Sequence, residues 1–549
     1  MFRPFTTAFS QRLSLKPNRR WSLYLAGGMG LVWYESDDRP KLIWTAAQRI
    51  GLAARIGLQV ATDYKLVQSR SYSSEQECIE AKSQCHLRSA QRVLRGLQKL
   101  GGIYVKLGQH VSTMNYILPT EWTSTLAVLQ DRCDPSTPED LRAMFWHDCG
   151  QSLDDVFDEF NWQPIGVASL AQVHKARLGS QWVAVKFQHA RLDEFYRIDL
   201  QTVSFIIHTI KRIFPDFGFE WIMEEMEQSL PQELDFEHEA ANALQVKKNF
   251  EHCSTALVIP NIIWAKRRIL CMEFIDGARV DDLEYLEKHH IDSSAVSTEI
   301  TNIFSKMMFI DGFVHCDPHP GNIFIRPAKR TRTHPYNFDV VLLDHGLYRT
   351  LTDQLRTDYA HLWTSLIRGE EEGIRKYSLR VGCRPESHRL FASLLTGREW
   401  STIQSASLSS DRTITEISRV SGRAKYFLNR IYDILETLPR IVVLLLKTSD
   451  LLRSLDENLR KSKDKYMTYA LMGRYCAEAV WIDQKTNLLH RLQSALTLSA
   501  AWELFKNLVV AWWKYELLEF ALWAYRVQSS TREKWLLFWK QEPEQVKSS

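Results

Sequence analysis

Two short motifs in the second half of the chain constrain its fold more than any other feature. Residues 313–325, FVHCDPHPGNIFI, place Asp317 five residues before Asn322 and ahead of an apolar strand. Residues 340–346, VVLLDHG, end a further predicted strand with Asp344. This order supplies one carboxylate for an accepting group and two oxygen ligands for Mg²⁺. If these three residues only capped turns or began a loop, their agreement in order and spacing would be a coincidence.

Upstream, the sequence predicts a β-hairpin that carries a single lysine. Residues 165–178 and 182–187 read as two strands joined by a turn at Gly179 and Ser180, and Lys186 lies near the end of the apolar second strand. The first strand is entered through a loop of small residues: Gly166, Val167, Ala168 and Ser169. Kinases cover phosphates with such a loop and contact them with such a lysine.

A charged lysine in a buried strand needs an acidic partner, because burial alone lowers its pKa and destabilises the fold. Glu239 is the candidate, on a predicted helix that also holds Glu233 and Asp235. Residues 272–275 end another strand, where a kinase hinge would present backbone groups to adenine. The predicted nucleotide-binding residues are Gly166, Val167, Ala168, Ser169, Lys186, Met272, Glu273 and Phe274.

Composition excludes several classes of protein. The 549 residues are 45% hydrophobic and 24% charged, with 23 glycines and 17 prolines, so the chain is globular and not disordered. Its net charge of +4 is too small for a chain of this length to imply a nucleic-acid partner. The nine cysteines include no C-x-x-C pair and are expected to be reduced thiols. We expect His315, next to Cys316, to brace its loop by hydrogen bonding instead of binding a metal.

The first twenty residues differ in charge from the rest of the chain. They contain five basic residues, and the first acidic residue is Glu35. This pattern predicts a mitochondrial presequence over residues 1–20, with a disordered basic tail as the alternative.

Residues 21–34, WSLYLAGGMGLVWY, form an apolar run after this segment. As a helix they would span about 21 Å, against a hydrocarbon core of about 30 Å. The aromatic residues at both ends are typical of a membrane anchor. We leave open whether the run spans the mitochondrial inner membrane or forms a buried or interfacial helix, and we assign 21–74 to an anchor with an amphipathic helix.

Residues 505–525, near the other end, are also apolar, but Lys514, Glu516 and Glu519 interrupt them. Three central charges cost about 8 kcal/mol or more on an insertion scale, while the apolar residues return roughly 4 kcal/mol. Spanning is therefore disfavoured. Packing against the core is the favoured interpretation, and contact with a membrane surface is the alternative.

Eight segments of the chain, taken together, carry a family resemblance. They are Lys106-x-Gly108-Gln109, Leu129 to Asp131, Gly166 to Ser169, Ala184 to Lys186, Glu233-x-Asp235 with Glu239, His315 to Asn322, Leu343 to Gly346, and Leu446 to Leu452. The sequence resembles the UbiB or aarF-domain family of atypical kinases over about residues 85–455, in particular its mitochondrial kinase 1 branch. Two residues depart from the family pattern: Gly166 stands where many relatives have alanine, and His345 replaces the usual phenylalanine.

The resemblance implies an α+β fold, kinase-like and two-lobed, with a family-specific N-terminal helical extension and all-helical C-terminal additions. We assign residues 75–150 to the extension, 151–275 to the N-lobe, 276–455 to the C-lobe and 456–549 to a helical, tryptophan-rich tail. Within the extension, the spacing of apolar residues predicts one helix from 75 to 106.

The resemblance also implies a kinase or ATPase that uses ATP and Mg²⁺. Asp317, Lys186 and Glu239 would be catalytic, and Asn322 and Asp344 would bind the metal. The family-specific residues Lys106, Gly108, Gln109, Glu233 and Asp235 would cover the active site. Such a cover disfavours a protein substrate and favours a lipid or small lipid-like molecule. The implied process is mitochondrial lipid homeostasis, with a coenzyme Q link as an option, at the inner membrane.

Three alternatives stay open at this stage. The chain could be a catalytically silent, nucleotide-switched protein that handles lipids or acts as a scaffold at the inner membrane. It could be a small-molecule phosphotransferase of the aminoglycoside-kinase type, which shares the Asp317 and Asp344 patterns. The Lys106-x-Gly-Gln motif could also be a simple helix end, closed by Gly108.

Overall fold

The computed structural model describes residues 39–112, 118–130, 135–214, 220–331, 334–405, 434–435, 437–460, 466–493, 499, 502–513, 515–517 and 520. The expected presequence and the apolar run at 21–34 lie outside these residues. Across the described parts of the chain, no helix combines the length and the apolar character needed to cross a bilayer.

The N-terminal extension is helical. Its elements are α1 (Arg39–Ser69), α2 (Glu75–Leu100), α3 (Ile103–Ser112), α4 (Thr120–Leu126) and a 3-10 turn at Ala127–Gln130. The Ser74 hydroxyl caps α2 by accepting a hydrogen bond from the Glu77 N–H at 3.2 Å. The extension has its own apolar cluster, which includes residues of α2, α3 and two later helices.

The expected single helix over residues 75–106 is wrong. Gly101 and Gly102 have φ angles of +67° and +53°. This left-handed backbone, which glycine adopts without steric cost, ends α2 and lets α3 start in a new direction. Lys106 and Gly108 therefore lie inside α3, so the interpretation of their motif as a helix end is also wrong.

A six-stranded antiparallel sheet forms the N-lobe. Helices α5 (Pro138–Cys149) and α6 (Leu153–Val156) precede strands β1 (Glu159–Phe160), β2 (Gly166–Val167), β3 (Ala171–Leu178) and β4 (Gln181–Gln188). After β5 (Leu257–Val258), which joins another sheet, come β6 (Ile262–Lys266) and β7 (Ile269–Glu273). The strand order is β1-β3-β4-β7-β6, with β2 on β3. The β3–β4 hairpin confirms the prediction from the sequence.

Three helices occupy the long stretch between β4 and β5. They are α7 (Leu192–Ile213), α8 (Glu220–Glu233) and α9 (Phe236–Phe250). Helix α9 packs on β6 and β7. Lys186 on β4 and Glu239 on α9 are in contact although they are 53 residues apart in sequence. The insertion of α7 and α8 accounts for this separation.

The C-lobe combines two small sheets with many helices. After β8 (Ala278–Arg279) come α10 (Leu283–Lys288), α11 (Ser293–Lys306), a π-helical turn at Met307–Asp311 and β9 (Phe313–His315). A 3-10 turn at Pro320–Asn322 precedes β10 (Ile323–Pro327), β11 (Phe338–Leu342) and β12 (Tyr348–Thr350). One sheet has the order β5-β11-β10-β8, so β5 belongs to it although residues 257–258 fall in the range assigned to the N-lobe, and β9 pairs with β12.

Helices cover the rest of the C-lobe. They are α12 (Asp353–Arg368), α13 (Glu371–Arg380), α14 (His388–Thr396), α15 (Trp400–Gln404), α16 (Arg440–Leu459) and α17 (Tyr466–Gln493), with a 3-10 turn at Pro385–Ser387. The largest apolar cluster of the described residues lies among these helices and the second sheet. Helix α16 is buried along most of its first half, residues 442–449.

The helix at residues 502–513 contradicts the favoured interpretation of the tail. Trp502 is 59% exposed, Val510 51% and Trp513 61%, so the described part of this segment does not pack into the core. Lys514 and Glu519, which enter the same interpretation, lie outside the described residues.

Candidate active site

The predicted lysine–glutamate pair forms between β4 and α9. Lys186 Nζ lies 2.7 and 2.9 Å from the two carboxylate oxygens of Glu239, whose side chain is 2% exposed. The Asp235 carboxylate accepts hydrogen bonds from two N–H groups in the first turn of α9 and so caps this helix. Asp235 therefore positions the turn that holds Glu239, while its role in a covering layer stays a prediction.

Asp344 lies on the other side of Lys186, with 3.7 Å between Lys186 Nζ and Asp344 Oδ2. Burial lowers the pKa of Lys186, but Asp344 and Glu239 together raise it above its ordinary value. Burial raises the pKa of Glu239 to about 7, against the attraction of Lys186. Lys186 is therefore a charged lysine held between two acidic side chains.

The loop after β9 is braced as the sequence predicts. The Asp317 N–H donates to His315 Nδ1 at 3.0 Å. His315 Nε2 lies 3.0 Å from the Asp344 carbonyl oxygen and donates to it. Asn322 Nδ2 donates to the Asp317 carbonyl oxygen at 3.2 Å. These bonds join the two motifs into one rigid unit, and they confirm His315 as a bracing residue.

Asn322 and Asp344 have the donor chemistry that Mg²⁺ requires. The Asn322 amide nitrogen is used within the loop, so its amide oxygen is the atom left for a cation. Burial raises the pKa of Asp344, but Lys186, the Gly346 N–H and Lys106 hold it below its ordinary value. The described residues hold no cluster of three or more His, Cys, Asp or Glu side chains able to bind a metal. A cation here would need further oxygen ligands, as Mg²⁺ takes from phosphates and water.

The predicted small-residue loop lies at the turn between β2 and β3, and its first two residues, Gly166 and Val167, form β2 itself. The Ala168 N–H donates to the Ala171 carbonyl oxygen at 2.8 Å, which closes the turn. Gly166 faces open space, since a Cβ atom there would meet nothing within 4 Å. The alanine that many relatives carry at this position would therefore fit without a clash.

The predicted hinge is only partly available to a ligand. The Glu273 N–H donates to the Asn261 carbonyl oxygen, and the Phe274 N–H donates to the Trp182 carbonyl oxygen. Met272 pairs with Ala184 within the sheet. Adenine recognition by these two N–H groups is thus inconsistent with the hydrogen bonds in the structure.

Helix α3 ties the extension to this site. Lys106 Nζ lies 2.5 Å from Glu233 Oε2, and both side chains are largely buried. Gln109 bridges two segments, because its Nε2 donates to the Leu129 carbonyl oxygen and its Oε1 accepts from the Ser169 hydroxyl, both at 3.0 Å. Gln109 thus binds the small-residue loop directly.

Close packing holds α3 in this place. A Cβ atom on Gly108 would come within 2.3 Å of Leu129 Cδ1 and 2.8 Å of Leu97 Cδ1. Burial lowers the pKa of Lys106, but Glu233, Asp317 and Asp344 raise it above its ordinary value. Lys106 is therefore close to both acidic motifs. Asp131, in the second segment of the resemblance, lies outside the described residues.

One site residue was missed by the sequence reasoning. Lys447, in the middle of α16, donates to Asp317 Oδ1 at 2.8 Å. The sequence pattern assigned Lys447 to a shared motif, Leu446 to Leu452, without a role. A signal was present, because a lysine that follows the apolar run at 441–446 needs a buried acidic partner.

Comparison with known proteins identifies the family. A family model described as the ABC1 atypical kinase-like domain matches residues 128–378. The ABC1 family protein MCP2 homolog of Schizosaccharomyces pombe is 41% identical over 473 residues, which are 85% of this chain and 84% of the relative. The chain belongs to the ABC1, or aarF-domain, family of atypical kinases.

A second relative agrees with this assignment. The mouse AarF domain-containing protein kinase 1 is 38% identical to this ABC1 chain over 440 residues, which are 79% of the chain and 82% of the relative. Among solved structures, Rv3197 of Mycobacterium tuberculosis in complex with erythromycin has a TM-score of 0.40 and 20% identity, covering 66% of this chain and 96% of that one. The family model and the two relatives confirm the predicted family, and the kinase-like description of that model, together with the helices and sheets of the structure, confirms the predicted α+β fold.

Proposed function

We propose that this chain is an ATP-dependent phosphotransferase or ATPase whose site is covered by its own N-terminal extension. The observation that supports this most is Lys186, held between Glu239 and Asp344 at 2.7 and 3.7 Å. A lysine in this arrangement contacts phosphates in kinases. Bound Mg²⁺ would neutralise phosphate charge, and Asn322 and Asp344 are the residues that would hold it.

The chain's own groups then have separate tasks. Lys186 binds the phosphates, and Glu239 fixes the orientation of Lys186. Asp317 accepts the proton of the attacking hydroxyl or water. Burial raises the pKa of Asp317, but Lys447, His319 and Lys106 hold it well below its ordinary value, so the carboxylate is ionised and able to accept.

The proposed acceptor is a lipid or small lipid-like molecule. Support comes from α3, where Lys106 binds Glu233 and Gln109 binds the small-residue loop at Ser169. If α3 covers Asp317 as proposed, a peptide would have to displace these buried contacts to reach it, whereas a small molecule or water would not. We extend the proposal to mitochondrial lipid homeostasis, with a coenzyme Q link as one option, and to the mitochondrial inner membrane.

A single substitution tests the nucleotide site. Asp344→Asn removes the carboxylate proposed to hold Mg²⁺, so we expect Mg²⁺-dependent ATP affinity to fall by about 100-fold or more. Isothermal titration calorimetry with and without Mg²⁺ measures this directly. The matched control is Asp339→Asn, which removes a carboxylate that is bound to Arg326 and His334 in the C-lobe sheet. Equal Mg²⁺-ATP affinity in wild type and Asp344→Asn would refute the proposed metal site.

The second candidate is a catalytically silent, nucleotide-switched lipid-handling or scaffold protein. The exposed tryptophans of the helix at 502–513 favour it, since tryptophan is enriched at membrane–water interfaces. Complementation of a strain that lacks a related ABC1 protein distinguishes the two candidates. Full complementation by Asp317→Ala, combined with failure of a chain truncated after residue 493, would support the second candidate and exclude the first.

A further inference from the structure

Lys447 brings a positive charge to the active site from a helix that lies outside the predicted site motifs. It is 130 residues from Asp317 in sequence, yet its Nζ lies 2.8 Å from Asp317 Oδ1. Lys447 is 8% exposed, and the helix residues on both sides of it are buried. A lysine buried to this degree must be paired, and Asp317 is the carboxylate that it contacts.

The position of α16 does not depend on this contact. Near the other end of the helix, Asp456 accepts hydrogen bonds from Ser297 on α11 and from Arg460. The Ser293 hydroxyl, also on α11, donates to the Leu459 carbonyl oxygen at 2.7 Å. Because α16 is anchored elsewhere, the pair between Lys447 and Asp317 is free to serve the chemistry at Asp317.

Three atoms of Asp317 are held by neighbours. Its N–H is bound to His315, its carbonyl oxygen to Asn322, and its Oδ1 to Lys447. The remaining carboxylate oxygen, Oδ2, lies 3.9 Å from His319 Nε2. Lys447 therefore fixes the carboxylate through Oδ1 and leaves Oδ2 as the oxygen that it does not bind.

The other charged groups near Lys447 have partners of their own. Lys106 binds Glu233, and Arg349 binds Glu225 at 3.2 Å. These two cations are committed to α8, so neither can replace Lys447 at Asp317 without leaving a buried carboxylate unpaired.

We propose that Lys447 is the positioning residue for Asp317 in phosphoryl transfer, holding Oδ1 so that Oδ2 receives the acceptor's proton. This inference rests on the proposed function. In the step, the acceptor oxygen forms a bond to the γ-phosphorus, and the bond from that phosphorus to the bridging oxygen breaks. ADP leaves with the electron pair, and the acceptor proton moves to Asp317 Oδ2. Lys447 keeps its own protons throughout and balances the carboxylate charge before transfer.

The test compares Lys447→Met, Lys447→Arg and a matched control in the full chain. Lys306→Met is the control, because Lys306 is a similarly buried lysine that binds Asp311 at 2.6 Å in the C-lobe. We measure ATP affinity by calorimetry, and kcat and KM from ADP release. Lys447→Met should lower kcat by about 100-fold while KM for ATP changes by less than about threefold, since a misplaced base is costly to the chemical step and not to binding.

Rescue separates positioning from support of the fold. Lys447→Arg should recover at least about tenfold of the lost kcat, because a guanidinium can still donate to Oδ1. Lys306→Met should lower the melting temperature but leave kcat within about twofold of wild type. If Lys447→Met does not fold, Lys447→Gln replaces it, and a kcat for Arg about tenfold above that for Gln supports the inference.

Several results would overturn the inference, and they differ from failure of the proposed function. A kcat for Lys447→Met within about threefold of wild type refutes positioning, as does a parallel loss of ATP affinity without rescue by arginine. Equal kcat values for the Arg and Gln variants also refute it. A wild-type chain that binds Mg²⁺-ATP and releases no ADP refutes turnover itself, and the inference falls with it.

Discussion

Lys106 and Lys447 reach the candidate active site from distant parts of the sequence, and their ion pairs join different parts of the molecule. Lys106, on α3 of the extension, binds Glu233 on α8 at 2.5 Å. Lys447, on α16 of the C-lobe, binds Asp317 at 2.8 Å. Both are buried lysine–carboxylate pairs of similar geometry. The first joins α3 to α8, the helices proposed to cover the site, while the second holds the residue proposed to take the proton.

The difference shows that membership in a family motif does not by itself measure closeness to the chemistry. The Lys106 motif is the more recognisable in sequence, yet its lysine pairs with a covering helix. The Lys447 motif had no assigned role, yet its lysine contacts Asp317 directly. Whether such a lysine supports the proposed cover or the reacting group depends on where its carboxylate partner lies in the fold, and not on how recognisable the lysine's motif is.

The largest expected effect tests whether the Lys106 side is a structural clasp. Lys106→Met leaves Glu233 buried without its cation, which should cost about 3–5 kcal/mol of unfolding free energy. The double variant Lys106→Met with Glu233→Leu should recover most of that loss, because no charge stays buried unpaired. Urea denaturation followed by circular dichroism gives the double-mutant cycle. Additive losses would show that the two residues do not act as a pair.

A smaller effect on stability is expected where α3 packs against α2 and the 3-10 turn at Ala127–Gln130. Gly108→Ala adds a methyl group that overlaps Leu129 and Leu97, and overpacking of this kind costs about 1–3 kcal/mol. Gly51→Ala in α1 is the matched control, since a Cβ there meets nothing within 4 Å. The control should gain about 0.5–1 kcal/mol from helix propensity. If both variants behave alike in thermal unfolding, close packing does not hold α3 on the site.

The smallest effect on stability belongs to the tail, which serves as the reference for both lysine regions. Replacing Trp502 and Trp513 with serine should change the unfolding free energy by less than about 0.5 kcal/mol, because both rings are more than half exposed. Thermal unfolding measures this, and co-sedimentation with cardiolipin-containing vesicles tests the same pair for membrane contact. A large loss of stability would mean that the rings pack against the rest of the molecule.

Features that depend on local chemistry could be predicted from the sequence. The β3–β4 hairpin, the bracing role of His315 and the pair of Lys186 with Glu239 were all predicted and are present. The hairpin follows from its turn residues, the bracing from the short spacing around His315, and the ion pair from the need of a buried lysine for an opposite charge. The last of these depended on the family pattern, because α7 and α8 separate its two members.

The failures have physical reasons too. Apolar spacing continued through Gly101 and Gly102, so the pattern predicted one helix where two glycines with positive φ end it. The helix at 502–513 looked apolar enough for the core, but apolar residues also occur on protein surfaces. The sequence around Lys447 indicates that this lysine needs an acidic partner, but it does not identify the partner, since no local rule selects a carboxylate 130 residues away.

The sequence by itself determined the family, the two-lobed α+β fold and the motifs that hold Asp317, Asn322 and Asp344. It could do so because Asp317 and Asn322 lie at a short fixed spacing in one loop, and Asp344 directly follows an apolar strand that the sequence marks out. Only the tertiary structure decided which acids Lys106 and Lys447 meet, placing Lys106 on Glu233 and Lys447 on Asp317. A buried charge must find an opposite charge, but which one it reaches depends on how distant helices pack.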